Sequence, residues 1–161
     1  MPSNPITSLR SDTRRELAAR LGRESHDGLA LAENPQDNPI CCLRIDRTVP
    51  CVSLVWKGYA TSTQLRFVLE SVLEMLSEFG LSKVLGDDTA LAMINDEDRR
   101  WIAEDWMPRA HAAGLRAAAS MRPRSYFGRL SLSTLLEQAP RQILLNSFDD
   151  LAEAQRWLTE L

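Results

Sequence analysis

No stretch of this chain approaches the roughly 20 consecutive apolar residues that a membrane span requires. Its beginning also lacks the apolar core of a secretory signal. Both absences point to a cytoplasmic protein with no integral membrane association. The five arginines from Arg10 to Arg23 are interrupted by Asp12 and Glu16, which favours a short surface helix over a transit peptide. Basic excess is missing too. The net charge of −3 argues against a general nucleic-acid binder. Histidine is scarce: His26 and His111 form no H-x-x-H pair, and no C-x-x-C is present, so no zinc motif exists. The few glycines compose neither a G-x-G-x-x-G fingerprint nor a P-loop, and no G-x-S-x-G elbow occurs. Nothing in these patterns calls for a cofactor, a metal or a catalytic residue.

The three cysteines fit a reducing compartment. Cys41 and Cys42 are adjacent on an expected strand, so their side chains point to opposite faces and cannot share one metal. Cys51 could lie across a hairpin from Cys42, but cytosolic conditions disfavour a disulfide. Buried, inert thiols are the expectation.

What is present is an ordinary globular composition, with 161 residues, 44% of them apolar and 25% charged. Residues 1–38 read as an N-terminal extension, with a short helix from Ser11 or Asp12 to Leu21 closed by Gly22. "ENPQDNP" from Glu33 to Pro39 then reads as a linker. Residues 39–161 read as one domain. "ICCLRID" and "PCVSLVW" form an expected antiparallel hairpin, with Val52, Leu54 and Trp56 on one face and Cys51, Ser53 and Val55 on the other.

Thr61 and Gln64 make a capping box for a helix striped with Leu65, Val68, Leu69, Val72, Leu76 and Phe79, which Gly80 ends. "SKVLGD" reads as a strand. Asn95 caps the next helix, where Asp96, Glu97 and Asp98 complement the helix dipole rather than serve acid–base chemistry. "RAAASM" is a strand by its position between helices. A helix from about Ser125 to Gln138, the strand "RQILLNSF" and a final helix complete the chain. That last helix is capped by Asp149 or Ser147 and turns Leu151, Ala154 and Leu158 inward. The alternation predicts an α/β fold: a mixed sheet of about five strands, an antiparallel hairpin followed by parallel strands, covered by four helices.

The stretch "DRRWIAEDWMPRA" puts two tryptophans and a proline into a polar helix. At about 100° per residue, Trp101 and Trp106 lie roughly 140° apart. Trp106 falls on the Ile102 stripe and should be core, while Trp101 lies to the side. Pro108 should bend or restart the helix. Two readings stay open for Trp101. It covers a seam, or with Asp105, Arg109 and the loop from Asp87 to Met93 it frames a groove or partner surface. Arg109 has Asp87, Asp88 and Asp105 as candidate partners. Asp87 and Asp88 end a strand, where α/β folds bind ligands; loop solvation or capping accounts for them more simply than Mg²⁺ does. The methionines fill gaps, and Trp157 is expected in the core or at a dimer edge.

"VWKGYATSTQLR", "KVLGDDTAL", "EDRRWIAEDWMPRAHAAGLRAA", "YFGRLS" and "FDDLAEAQRWL" together resemble bacterial STAS-like proteins of the SpoIIAA-like fold, from Ile40 to Leu161. The resemblance implies a non-enzymatic interaction or regulatory module with an unnamed protein partner. Anti-sigma antagonists of that superfamily carry a phosphorylated Ser or Thr in a D-S-x-G-like turn. This chain has "LGDDTALAMINDED" there, and Thr89 is the nearest hydroxyl and the candidate phosphosite. Apolar area on edge helices would support a homodimer. The superfamily's looser tie to lipid-transfer domains implies the alternative, a carrier of a small apolar or amphipathic ligand held between sheet and helices.

Overall fold

The structure, a computed structural model, describes residues 22–25, 28–31 and 40–161. The expected helix up to Leu21, the Glu33–Pro39 linker and His26 lie outside the described residues. Among these residues seven strands stand side by side in chain order. The first two are β1 (Gly22–Ser25) and β2 (Gly28–Leu31). Then come the hairpin β3 (Cys41–Asp46) and β4 (Cys51–Trp56), and the helix α1 (Ser62–Phe79). β5 (Lys83–Asp87) leads to α2 (Asp96–Trp101), a π-helical turn (Ile102–Trp106) and α3 (Met107–Ala112). The last elements are β6 (Ala117–Met121), α4 (Tyr126–Gln138), β7 (Leu144–Phe148) and α5 (Leu151–Thr159).

From β3 onward the sheet has the five expected strands, with β3–β4 antiparallel and β4 to β7 parallel. The segment read as an extension adds two more: β1 pairs with β2, and β2 with the outer edge of β3, all antiparallel. Each is only four residues long, too short for alternation to register in the sequence. Counting α2, the π turn and α3 as one interrupted helix, four helices among the described residues cover the sheet.

A sheet that grows in one direction through connections of one hand delivers every connecting helix to the same face. The larger core accordingly joins Leu43, Val52, Leu54 and Trp56 of the hairpin to Val68, Val72 and Leu76 of α1 and to Ile102 and Trp106 of the π turn. The opposite face carries a smaller core of Cys51, Leu85, Ala117, Ala119 and Met121, covered by Ala154 and Leu158 of α5. Lys83 on that face donates from Nζ to the carbonyl of Leu158 at 2.6 Å, placing a cation at the carboxyl end of α5.

Local chemistry explains the boundaries. Thr61 Oγ1 accepts from the N–H of Gln64, and Gln64 Oε1 accepts from the N–H of Thr61, which completes the expected box. Gly80, at φ 62°, donates to Leu76 O and ends α1. Asn95 Oδ1 accepts from the N–H of Asp98 at 2.7 Å. The cap of α5 is Asp150 rather than Asp149 or Ser147, and Asp149 instead pairs with Arg122. Ala154 and Leu158 turn inward as expected, but Leu151 remains exposed in the first turn. The hairpin register sets Cys42 opposite Val55 and Cys51 opposite Asp46, so no Cys42–Cys51 bridge can form. All three thiols are free. Burial pushes the Cys41 thiol well above its ordinary range and the Cys51 thiol up to about 12, so neither is a nucleophile at neutral pH.

Pro108 does restart the helix, but by a device the sequence did not suggest. Met107 N–H donates to Ile102 O, five residues back. This widened turn takes up one extra residue upstream of the proline ring, and α3 begins cleanly with Pro108 in its first turn.

Candidate functional site

Small residues on the strands decide where the molecule is hollow. On the helix-covered face Gly86 pairs with Ser120, and Val84 with Ala118. Beside the larger Leu54 and Trp56, these short side chains leave the floor low. The result is a cavity of about 140 Å³ between the sheet and the roof formed by α1, the π turn and α4. Leu65 and Leu69 of α1, Trp106, and Leu132, Leu135 and Leu136 of α4 line it. The three α4 leucines are only half-buried. Leu135 also packs against the larger core.

The loop that closes this end of the sheet is anchored to α4. Ser131 Oγ accepts from the N–H of Ile94 at 3.1 Å and lies 3.3 Å from its carbonyl. Gly128 allows the close approach: a Cβ there would sit 2.7 Å from Leu91 O. Any larger residue would push α4 off the loop.

Among the described residues one ionisable group enters the cavity. Asp88 follows β5 and folds back so that its carboxyl lies over Gly86, whose hypothetical Cβ would be 3.1 Å from Asp88 Oδ1. Ser120 Oγ donates to Asp88 Oδ2. Asp88, Ser120 and Asn146 bring the polar groups to a lining otherwise almost wholly apolar. Burial pushes the Asp88 carboxyl up to about 6; the Ser120 hydrogen bond works the other way, and the charge of Asp87 adds to the rise. Buried carboxyls in an apolar cleft with raised pKa are typical of binding and catalytic sites.

The five residues of the expected interaction surface divide into two places. Trp101, Asp105 and Arg109 come together on the outside of α2 and α3. Arg109 grips Glu70 of α1 through Nη1 and Nη2, at 3.0 and 2.5 Å, and Asp105 through Nε and Nη2, at 3.1 and 2.7 Å. Its partners are thus Asp105 and Glu70, and not Asp87 or Asp88, which lie at the end of β5. The hydrogen bonds Arg109 donates to Glu70, then to Asp105, raise its pKa above the ordinary value. Trp101 is half-buried, with the guanidinium carbons of Arg66 and Arg109 at 4.9 and 6.0 Å from its ring centre. Arg66 in turn donates from Nε to Asp98 at 3.0 Å, and Ser62 Oγ donates to the same carboxylate at 2.5 Å. Asp98, expected to serve the helix dipole alone, is buried and ties α2 to α1.

Asp87 Oδ1 accepts from the N–H and the hydroxyl of Thr89, at 3.1 and 2.6 Å. The candidate phosphosite is therefore engaged in a turn, and a phosphate there would meet the Asp87 charge. Among the described residues no three His, Cys, Asp or Glu side chains gather as a metal would require. Among them, too, no helix is long and apolar enough to cross a membrane.

Sequence reasoning identified Asp88 but missed Ser120, Arg66 and Glu70. Ser120 sat in a strand noted only for its alanines, and the other two lie on the polar side of α1, where nothing distinguishes a cross-helix partner from a solvated charge. No family model matches the chain, and no curated protein matches its sequence.

Proposed function

We propose that this domain is a non-enzymatic binding module whose site is the cavity between sheet and helices, and that it takes a small, mostly apolar molecule. The observation that carries this reading is a carboxyl group turned into an otherwise apolar space beneath a half-buried row of leucines. The volume is far below that of a lipid-sized pocket. It matches apolar cavities of about 150 Å³ that accept benzene. The expectation of a ligand between sheet and helices is thereby narrowed in size. A cytoplasmic setting and the STAS-like resemblance accord with binding rather than chemistry.

Toluene near its aqueous solubility limit is expected to raise the Tm by a few degrees through mass action on the folded state. Ala118→Leu, which fills the floor, is expected to abolish that rise. An unchanged Tm of the unsubstituted protein in toluene would overturn the reading.

A second reading, recognition of another protein, is favoured by exposed apolar side chains at the carboxyl ends of the parallel strands. Tyr59, Met93, Phe127 and Leu130 are each at least half exposed. Met93 joins two adjoining hollows, one reaching Tyr59 and the other Phe127 and Leu130. This patch, rather than Trp101, holds the open aromatics. Trp101→Ala is expected to cost about 1 kcal/mol of stability through the lost guanidinium contacts. It should leave capture of a cellular partner, or self-association followed by light scattering, less affected than Phe127→Ala does. The opposite ranking would return the surface to Trp101.

A further inference from the structure

We infer that the cavity selects a small apolar amine, an ammonium group on a benzene-sized body, with the Asp88 carboxylate and Ser120 Oγ holding the cationic end. This inference rests on the binding reading above and specifies its ligand.

The geometry begins at Gly86. The missing side chain lets the Asp88 carboxyl sit close over the sheet floor, 3.1 Å from where a Cβ of Gly86 would stand, with the residue partly exposed. Ser120, the cross-strand neighbour of Gly86, fixes one carboxylate oxygen by donating to it. The remaining acceptor capacity of the group points into a space whose other walls are Leu54, Trp56, Trp106 and the α4 leucines. Among the described residues the influences on Asp88 are burial, Ser120 and a second negative charge at Asp87, and no cation is among them.

An isolated carboxylate in such surroundings is costly unless a counter-charge with hydrogen-bond donors arrives. An ammonium supplies one charge and up to three donors. A carboxylate or phosphate ligand would add repulsion, and a neutral hydrocarbon would leave the charge unpaired. Trp56 and Trp106 flank the same space, and aromatic faces attract ammonium groups. About 140 Å³ admits a benzene-sized body and little more.

The test titrates the full-length protein with benzylamine, toluene and benzoate, followed by tryptophan fluorescence and by Tm. Benzylamine should bind at least tenfold more tightly than toluene, and benzoate should not bind. Asp88→Asn should weaken benzylamine at least tenfold while leaving toluene within about twofold, which also shows that the variant keeps its cavity. Toluene binding as tightly as benzylamine, or an Asp88→Asn variant with unchanged benzylamine affinity, would overturn the amine inference and leave the binding reading standing. Failure of all three ligands to bind would remove both.

Discussion

Asp88→Asn should make the protein more stable at pH 8 and no more stable at pH 4. The folded-state pKa of Asp88 is about 6, against an ordinary 3.8. Below pH 3.8 the carboxyl is protonated whether the chain is folded or not, and its contribution to stability is fully present. As the pH rises through 6 the folded protein must hold a charge in an apolar space, while the unfolded chain leaves it in water, so stability is lost across that interval. A gap of this size corresponds to about 3 kcal/mol. The amide keeps the Ser120 hydrogen bond but leaves its own N–H₂ to find a partner, which returns about 1 kcal/mol. The net gain at pH 8 is therefore about 2 kcal/mol, or roughly 4–8 °C in Tm. Thermal unfolding of both proteins from pH 4 to pH 8 checks this. Parallel curves over the whole range would show that Asp88 is solvated as an ordinary surface acid.

Trp106→Ala should cost about 3–5 kcal/mol, a large share of the stability of a domain this size. Trp106 is 5% exposed, and its Nε1–H donates to Leu69 O of α1 at 2.8 Å. The ring thus fills part of the cavity wall and joins the π turn to α1. Trp106→Phe keeps an aromatic ring and loses the hydrogen bond, so about 1–2 kcal/mol is expected. Urea unfolding of the two variants separates packing from hydrogen bonding. An alanine variant within 1 kcal/mol of the parent would mean that the wall collapses to fill the space, and that the cavity is not rigid.

Much of this architecture is legible in the residues. The capping box at Thr61 and Gln64, the apolar stripe of α1, the Asn95 cap and the alternation of Val52, Leu54 and Trp56 each have a local cause, and each appears where that cause places it. The same holds for Trp106 in the core and Trp101 beside it. What escaped depends on partners distant in sequence. β1 and β2 exist because β3 offers an open edge, and four residues show no periodicity of their own. The cavity arises from Gly86, Ala118 and Ser120 on neighbouring strands, none of which is unusual alone. Asp88 was visible as half of an acidic pair. Its divergence from Asp87, one carboxyl turned back over the sheet and the other closing a turn with Thr89, follows from the pleat and the missing Cβ at Gly86.

The widened turn at Ile102–Trp106 also constrains how the chain's length can vary. A π turn absorbs one extra residue locally, so deleting a residue within it would close a regular helix and leave the flanking turns nearly in phase. Asp98 would keep Ser62 and Arg66, and Trp106 would keep its place in the wall. A one-residue deletion in the regular turns between Asp98 and Trp101 removes no surplus and would rotate one anchorage on α1 by about 100° against the other. The widened turn is therefore where this helix should lose a residue at least cost.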